Sequence, residues 1–177
     1  MPFIQVPFMK YADKTIEIMM KNGILLTSLD SAGKPNVMAI GWGSLGNIWG
    51  KPMFVVLVRP SRYTYECIES TGDFTVNVPT KAMQDIVNFC GSVSGRDVNK
   101  FKERKLTALK GRKVKSPIIK ECIINYECKV VHKNDVIPEE LANDITVGCY
   151  PSGDFHRVYF GEILTALADE EIDKKLA

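Results

Sequence analysis

The chain has 177 residues, 45% hydrophobic and 25% charged, with a net charge of +2 at pH 7. That length supports one sizeable core, and a single domain over 1–177 is expected. So small a charge argues against a nucleic-acid or anionic-membrane partner, and no apolar run approaches a membrane span. Residues 1–7 (MPFIQVP) are too short and too interrupted by proline for a signal peptide. Residues 23–29 (GILLTSL) read as a strand, 30–35 as a turn with Gly33 free for positive φ, and 36–40 (NVMAI) as the returning strand of a hairpin. A glycine-rich run follows at 41–52 (GWGSLGNIWGKP), and its GWGSLGNIWG, two tryptophans on a flexible backbone, reads as an exposed apolar loop of the kind that meets a partner. Residues 53–58 (MFVVLV) form a short β-branched run bounded by Pro52 and Pro60, the mark of a buried strand.

Tyr63, Cys67 and Ile68 then fall at helical spacing, with Ser61 or Thr64 as candidate caps. Residues 73–78 alternate as a strand, and 81–90 carry a helical stripe of Met83, Ile86, Val87 and Cys90. Strands are expected at 118–131, 144–150 and 155–164, and a charged helical tail from Ala168. In the strand over 155–164, alternation puts His156, Val158 and Phe160 on one face and Phe155, Arg157 and Tyr159 on the other. Both faces carry apolar residues, which places the strand centrally. Many short strands with few helices favour a mostly β, closed or partly closed barrel over a doubly wound sheet. The basic segment 96–115 reads either as a nucleic-acid arm or, the favoured reading, as a solvated excursion between barrel strands.

The stretch VRPSRYTYECIE at 58–69 sets Arg59, Ser61, Arg62 and Thr64 in the turn between a strand and a helix. A helix start presents free N–H groups and the positive end of the dipole, so these residues make a cradle for a phosphate. The alternative is a capped helix with solvated arginines. The five cysteines (Cys67, Cys90, Cys122, Cys128 and Cys149) are odd in number, scattered and without C-x-x-C. They read as free thiols in a reducing cytoplasm. With only His132 and His156, a zinc site of usual spacing is not expected. No dinucleotide fingerprint follows a strand, and no phosphate-binding P-loop, nucleophile elbow or metalloprotease helix motif occurs. That leaves a cofactor as a candidate for any difficult chemistry.

The run GKPNVMAIGWGSLGNIWGKPMFVVLVRPSRYTYECIESTGDFTVNV, followed by CGSVSGRDVNKF and HRVYFGEI, resembles the flavin reductase-like, FMN-binding split-barrel family and, within it, the flavoredoxin-type branch. The resemblance covers nearly the whole chain. It implies a Greek-key split β-barrel that forms a homodimer and holds FMN near the subunit interface. It implies that Asn36, Met38, Ala39 and Trp42 line the isoalloxazine, and that Arg59, Ser61, Tyr63 and Thr64 hold phosphate and ribityl. Cys90, Gly91, Ser94 and Lys100 would form the loop closing over the cofactor, with His156 facing a nicotinamide or another donor. Two positions depart from the family pattern: Ala39, often threonine, and Asn99, often aspartate beside Lys100.

Each residue also has a structural account. Trp42 and Trp49 suit a core or a dimer interface, and Met38 suits a core gap. Cys90 suits a packed thiol, and His156 a hydrogen-bonded structural histidine. The resemblance implies an oxidoreductase passing hydride from NADH or NADPH to FMN. One alternative is an electron carrier that keeps FMN and draws on a redox protein partner. Another is a split-barrel binding module without a redox role.

Overall fold

The computed structural model describes residues 3–176, so Met1, Pro2 and Ala177 lie outside the described residues. Its elements are β1 (Phe3–Val6), α1 (Ala12–Asn22), β2 (Ile24–Leu29), β3 (Pro35–Ile40), β4 (Gly43–Ile48), β5 (Lys51–Val58), α2 (Tyr63–Thr71) and β6 (Asp73–Val78). A 3-10 turn (Lys81–Met83) leads into α3 (Gln84–Ser92) and α4 (Lys100–Glu103). Then follow β7 (Ala108–Leu109), β8 (Ile118–Ile119), β9 (Ile124–Asp135), α5 (Asn143–Cys149), β10 (Arg157–Asp169) and α6 (Ile172–Leu176). One antiparallel sheet runs β3-β2-β6-β9-β10-β5-β4, and β1 adds to the far end of β10. The long β10 therefore sits centrally, as its two apolar faces imply.

The unbroken apolar run Ile24-Leu25-Leu26 has a packing reason. Leu26 joins Phe54, Phe74, Val76 and Tyr126 in the main core. Leu25 points to the opposite face, where Val37, Val87, Cys90, Phe101 and Ile119 form a second core. A strand buried on both sides loses the alternation of a half-exposed one. Gly161 marks a crowded point of β10: a Cβ there would lie 2.4 Å from Phe74 Cζ and 2.8 Å from Cys128 Cβ.

Several expectations are corrected. The glycine-rich run contains β4, paired with β5 from Gly43↔Val56 to Ile48↔Lys51. Glycine hides the strand from pattern reading, yet a Cβ on Gly43 would stand 2.8 Å from Val55 O. The expected strand at 144–150 is instead helix α5, Asn143–Cys149, with Tyr150 as its C-cap. The Thr146 N–H and Oγ both donate to Ala142 O, and the Tyr150 N–H donates to Thr146 O. Ile145 and Val147, which mimic strand alternation, are both exposed. The expected strand at 118–131 is two strands, β8 and β9, separated by a turn at 120–123. The tail is not helical from Ala168, because Ala168 and Asp169 still pair with Ile4 and Phe3. Neither Ser61 nor Thr64 caps α2: its N-cap is Arg62, with no side-chain capping bond.

The basic segment is neither an arm nor a fully solvated excursion. Its second part is strapped to the sheet by two buried acids. The Glu127 carboxylate accepts the N–H groups of Arg112 (2.9 Å), Lys113 (2.6 Å) and Val114 (3.3 Å). Asp73 accepts those of Lys115 and Ser116, both at 3.0 Å. Lys113 and Lys115 are exposed while their backbone is tied in, and Arg112 donates through its guanidinium to Phe3 O at 2.8 Å.

Candidate functional site

Four segments converge on one cleft of about 320 Å3: strand β3, the β5–α2 turn, the loop from α3 to α4, and the entry to β10. All thirteen residues named from the sequence line it, from Asn36 on β3 to His156 before β10. The β3 wall is built by polar locking. Buried Asn36 donates through Nδ2 to Thr64 Oγ1 at 2.8 Å, tying β3 to the first turn of α2. The α3–α4 loop presses on the same amide, since a Cβ on Gly95 would fall 2.1 Å from Asn36 Oδ1. Met38 packs toward the main core and Ala39 toward the second. Gly91 closes over Ala39, leaving only 3.3 Å between an added Cβ and Ala39 Cβ. Trp42 is 46% exposed, with its ring centroid 5.3 Å from that of His156.

At the β5–α2 turn the arginines divide their work. Arg59 turns to the loop after α5, donating to Cys149 O (2.7 Å), Gly153 O (3.2 Å) and Asp154 O (2.9 Å). Ser61 donates through N–H and Oγ to the Asp154 carboxylate at 3.3 and 2.5 Å. Arg62 lines the cleft without a side-chain hydrogen bond or ion pair among the described residues. Because α2 starts without a side-chain cap, the N–H groups of Tyr63 and Thr64 are left for solvent or a ligand, while that of Tyr65 donates to Arg62 O at 3.0 Å. The Tyr63 hydroxyl donates to Asp30 Oδ2 at 3.1 Å. Arg96 lies 5.4 Å over the Tyr63 ring, donates to Ser61 O at 3.0 Å and pairs with Glu66.

On the α3–α4 side, Cys90 is buried, and burial pushes its thiol up to about 11, so it is a packed, protonated thiol. Ser94 Oγ accepts the Arg96 N–H at 3.2 Å and shapes the loop. Lys100 is only 5% exposed, and its ammonium donates to Cys90 O at 2.8 Å. Among the described residues no carboxylate pairs with it, and burial draws its pKa below the usual lysine value. Asn99 caps α4, its Oδ1 accepting the Lys102 N–H at 3.1 Å. His156 is 8% exposed, with Nδ1 2.7 Å from the Tyr150 hydroxyl. Burial, then the Arg59 charge, hold its pKa down at about 4, so it is neutral at pH 7.

The lining carries Arg59, Arg62, Arg96 and Lys100 but no aspartate or glutamate. Such a cleft disfavours cations and favours an anion. Sequence reasoning left Arg96 and Gly95 out of the site, though both stand in the quoted CGSVSGRDVNKF. Arg62 was visible in the turn. Tyr150, behind His156, was hidden inside the misread strand. No group of metal-ligating side chains occurs among the described residues.

An uncharacterized protein of Archaeoglobus fulgidus is 35% identical over 131 residues, 74% of this chain and 64% of its own length. The chain thus spans less than two thirds of that relative. The flavoredoxin of Methanosarcina acetivorans superposes with a TM-score of 0.67 at 33% identity, covering 84% of this chain and 69% of its own. The flavoredoxin of Desulfovibrio vulgaris (Miyazaki F) gives 0.69 at 26%, over 84% and 70%. An FMN-binding domain of a flavin reductases-like enzyme from Shewanella baltica shares the fold at a TM-score of 0.69 and 22% identity, over 97% and 79%. The cleft therefore sits in a mostly β split-barrel fold, and since residues 19–177 match the family model of the flavin reductase like domain, this chain belongs to that family.

Proposed function

We propose that the chain binds FMN in this cleft and aligns it with a reduced nicotinamide, NADH or NADPH, as a flavin oxidoreductase. The observation that carries the reading is the lining itself: four basic side chains, no acid, and an uncapped helix start at one end. A phosphate suits that end. Arg62 supplies a guanidinium with no side-chain hydrogen bond or ion pair among the described residues, and the start of α2 supplies the N–H donors of Tyr63 and Thr64. Arg59 serves this end by holding the 149–154 loop rather than by offering its fork to a ligand. Ser61 reaches a phosphate only by sharing or giving up its bonds to Asp154. The β3 wall, with Met38 and Ala39, suits the face of a flat ring, and Lys100 brings a buried positive charge to the same wall. FMN, when bound, supplies the acceptor for a hydride or for electrons. The chain's own part is to orient the ring and leave Trp42 and His156 at an accessible edge, which is catalysis by proximity.

Titration calorimetry with FMN and with riboflavin tests the phosphate site, and FMN is expected to bind far more tightly. Equal affinity would overturn it. Anaerobic mixing of the FMN-loaded chain with NADH and with NADPH tests the donor: bleaching of the flavin is expected with at least one of them.

A second reading, a flavoredoxin-like electron carrier served by a redox protein partner, is favoured by the two flavoredoxins among the similar structures. It predicts FMN retained through gel filtration and no bleaching by either nicotinamide.

A further inference from the structure

We propose that Tyr150 is a positioning residue that fixes the tautomer of His156: its hydroxyl donates to Nδ1 and leaves the imidazole as a neutral Nε2–H donor in the cleft wall. The 2.7 Å contact alone allows either atom to donate. Satisfaction of the buried hydroxyl decides between them. Tyr150 is buried, and among the described residues its hydroxyl has one hydrogen-bond partner, Nδ1 of His156. If Nδ1–H donated to that oxygen, the phenol proton would be buried without an acceptor, which costs more than the bond returns. With the phenol as donor, the hydroxyl proton and Nδ1 satisfy each other.

Tyr150 is held for this task from several sides. Its ring stacks on Phe155 at 4.6 Å and 24°, and the Arg59 guanidinium lies 4.9 Å over it. The Gly153 N–H donates to its carbonyl at 3.1 Å. Arg59 also binds the three carbonyls of the surrounding loop. One arginine at the α2 end of the cleft thus braces the residue that orients the imidazole. Among the charges around the imidazole, Arg59 and Arg62 disfavour a proton on it and Asp154 favours one. Burial outweighs the aspartate, so the ring stays neutral through the physiological range. A neutral Nε2–H recognises an uncharged acceptor, such as a carbonyl or carboxamide oxygen, without changing with pH. The inference leans on the proposed function only for what that donor meets; the tautomer is a property of the chain itself.

Nitrogen-15 NMR of histidine-labelled full chain tests it. Only His132 and His156 contribute, and the exposed His132 serves as the internal reference. In the wild type, His156 is expected to show an acceptor-type Nδ1 and a protonated Nε2, unchanged between about pH 8 and about pH 5. In Tyr150→Phe, which keeps the ring stack, the two shifts should converge as the tautomers mix, and the titration of His156 should move up from that of the wild type. A proton on Nδ1 in the wild type would overturn the assignment, as would unaltered shifts in a folded Tyr150→Phe. If that variant fails to fold, the wild-type tautomer alone decides. FMN titration of the wild type reads the proposed function separately: no binding would end that reading and leave the tautomer assignment standing.

Discussion

Two arginines three positions apart, Arg59 and Arg62, differ in what surrounds them, and this sets what each substitution should do. Arg59 is engaged by backbone carbonyls, whereas Arg62 has open solvent and the cleft. Arg62→Ala should therefore weaken FMN binding by about 1–2 kcal/mol, the low end for a charge-assisted contact at an exposed site, and leave thermal stability unchanged. Calorimetry with FMN, and with riboflavin as the control lacking phosphate, reads the effect; equal losses for both ligands would place Arg62 elsewhere. His156 makes a prediction of stability against pH. Its folded pKa is depressed from 6.5 to about 4, so as pH falls the unfolded chain takes the proton first. The contribution of the neutral imidazole is complete above about pH 6.5 and fades toward about pH 4. Denaturant midpoints measured across that window should fall more steeply for the wild type than for His156→Gln. Parallel curves would mean that the imidazole is not held neutral by the fold.

Among the elements, the strap at 112–116 is the clearest case of an order that its own residues do not announce. Three of its five residues, Arg112, Lys113 and Lys115, are basic and exposed, yet both oxygens of the fully buried Glu127 carboxylate receive its N–H groups. In Glu127→Gln one oxygen becomes an NH2 that faces a donor. The variant should lose about 2–4 kcal/mol, since a buried charge-assisted acceptor is replaced by a donor against a donor. A urea midpoint within about 0.5 kcal/mol of wild type, with unchanged exchange protection at 112–116, would contradict this account. The same logic separates what was legible in the sequence from what was not. The hairpin of β2 and β3, strand β5, helix α2 and strand β6 follow from local patterns: β-branched runs, turn glycines and helical spacing. Strand β4 was not legible, because glycine at the close approach of Gly43 to Val55 removes the apolar signal. Helix α5 was misread because Ile145 and Val147 alternate, although neither is buried. The cleft's cast could be drawn from the resemblance, but the engagements within it could not. Arg59 finds its carbonyls some ninety positions later, and Tyr150 meets His156 only once α5 has ended the chain's approach to β10.

At the scale of the whole molecule, the apolar surface is what the single chain leaves unresolved. Trp49 is 64% exposed, at the turn between β4 and β5, where it adopts φ +56° beside Gly50 at φ +72°. A left-handed tryptophan is uncommon and holds the indole out from the hairpin rather than into a core. Its ring lies 5.8 Å from both Phe160 and His132, which lie 5.2 Å from each other. Val131, Ile137, Ile145 and Val147 are also exposed. Such an aromatic cluster is the usual centre of an interface, and a symmetric homodimer meets it with a second copy of itself. The expected outcome is a species of twice the chain mass in sedimentation at micromolar concentration. Trp49→Asp should weaken association by at least about 2 kcal/mol, roughly thirtyfold, because it sets a charge in the middle of the contact. Trp49 does not line the cleft, so the monomeric variant separates assembly from ligand binding. If it still takes up FMN as the wild type does, each chain carries a complete site. If FMN affinity falls with dissociation, the partner copy completes the site. A wild type that sediments only as monomer would refute the dimer and leave the exposed tryptophan to a different partner.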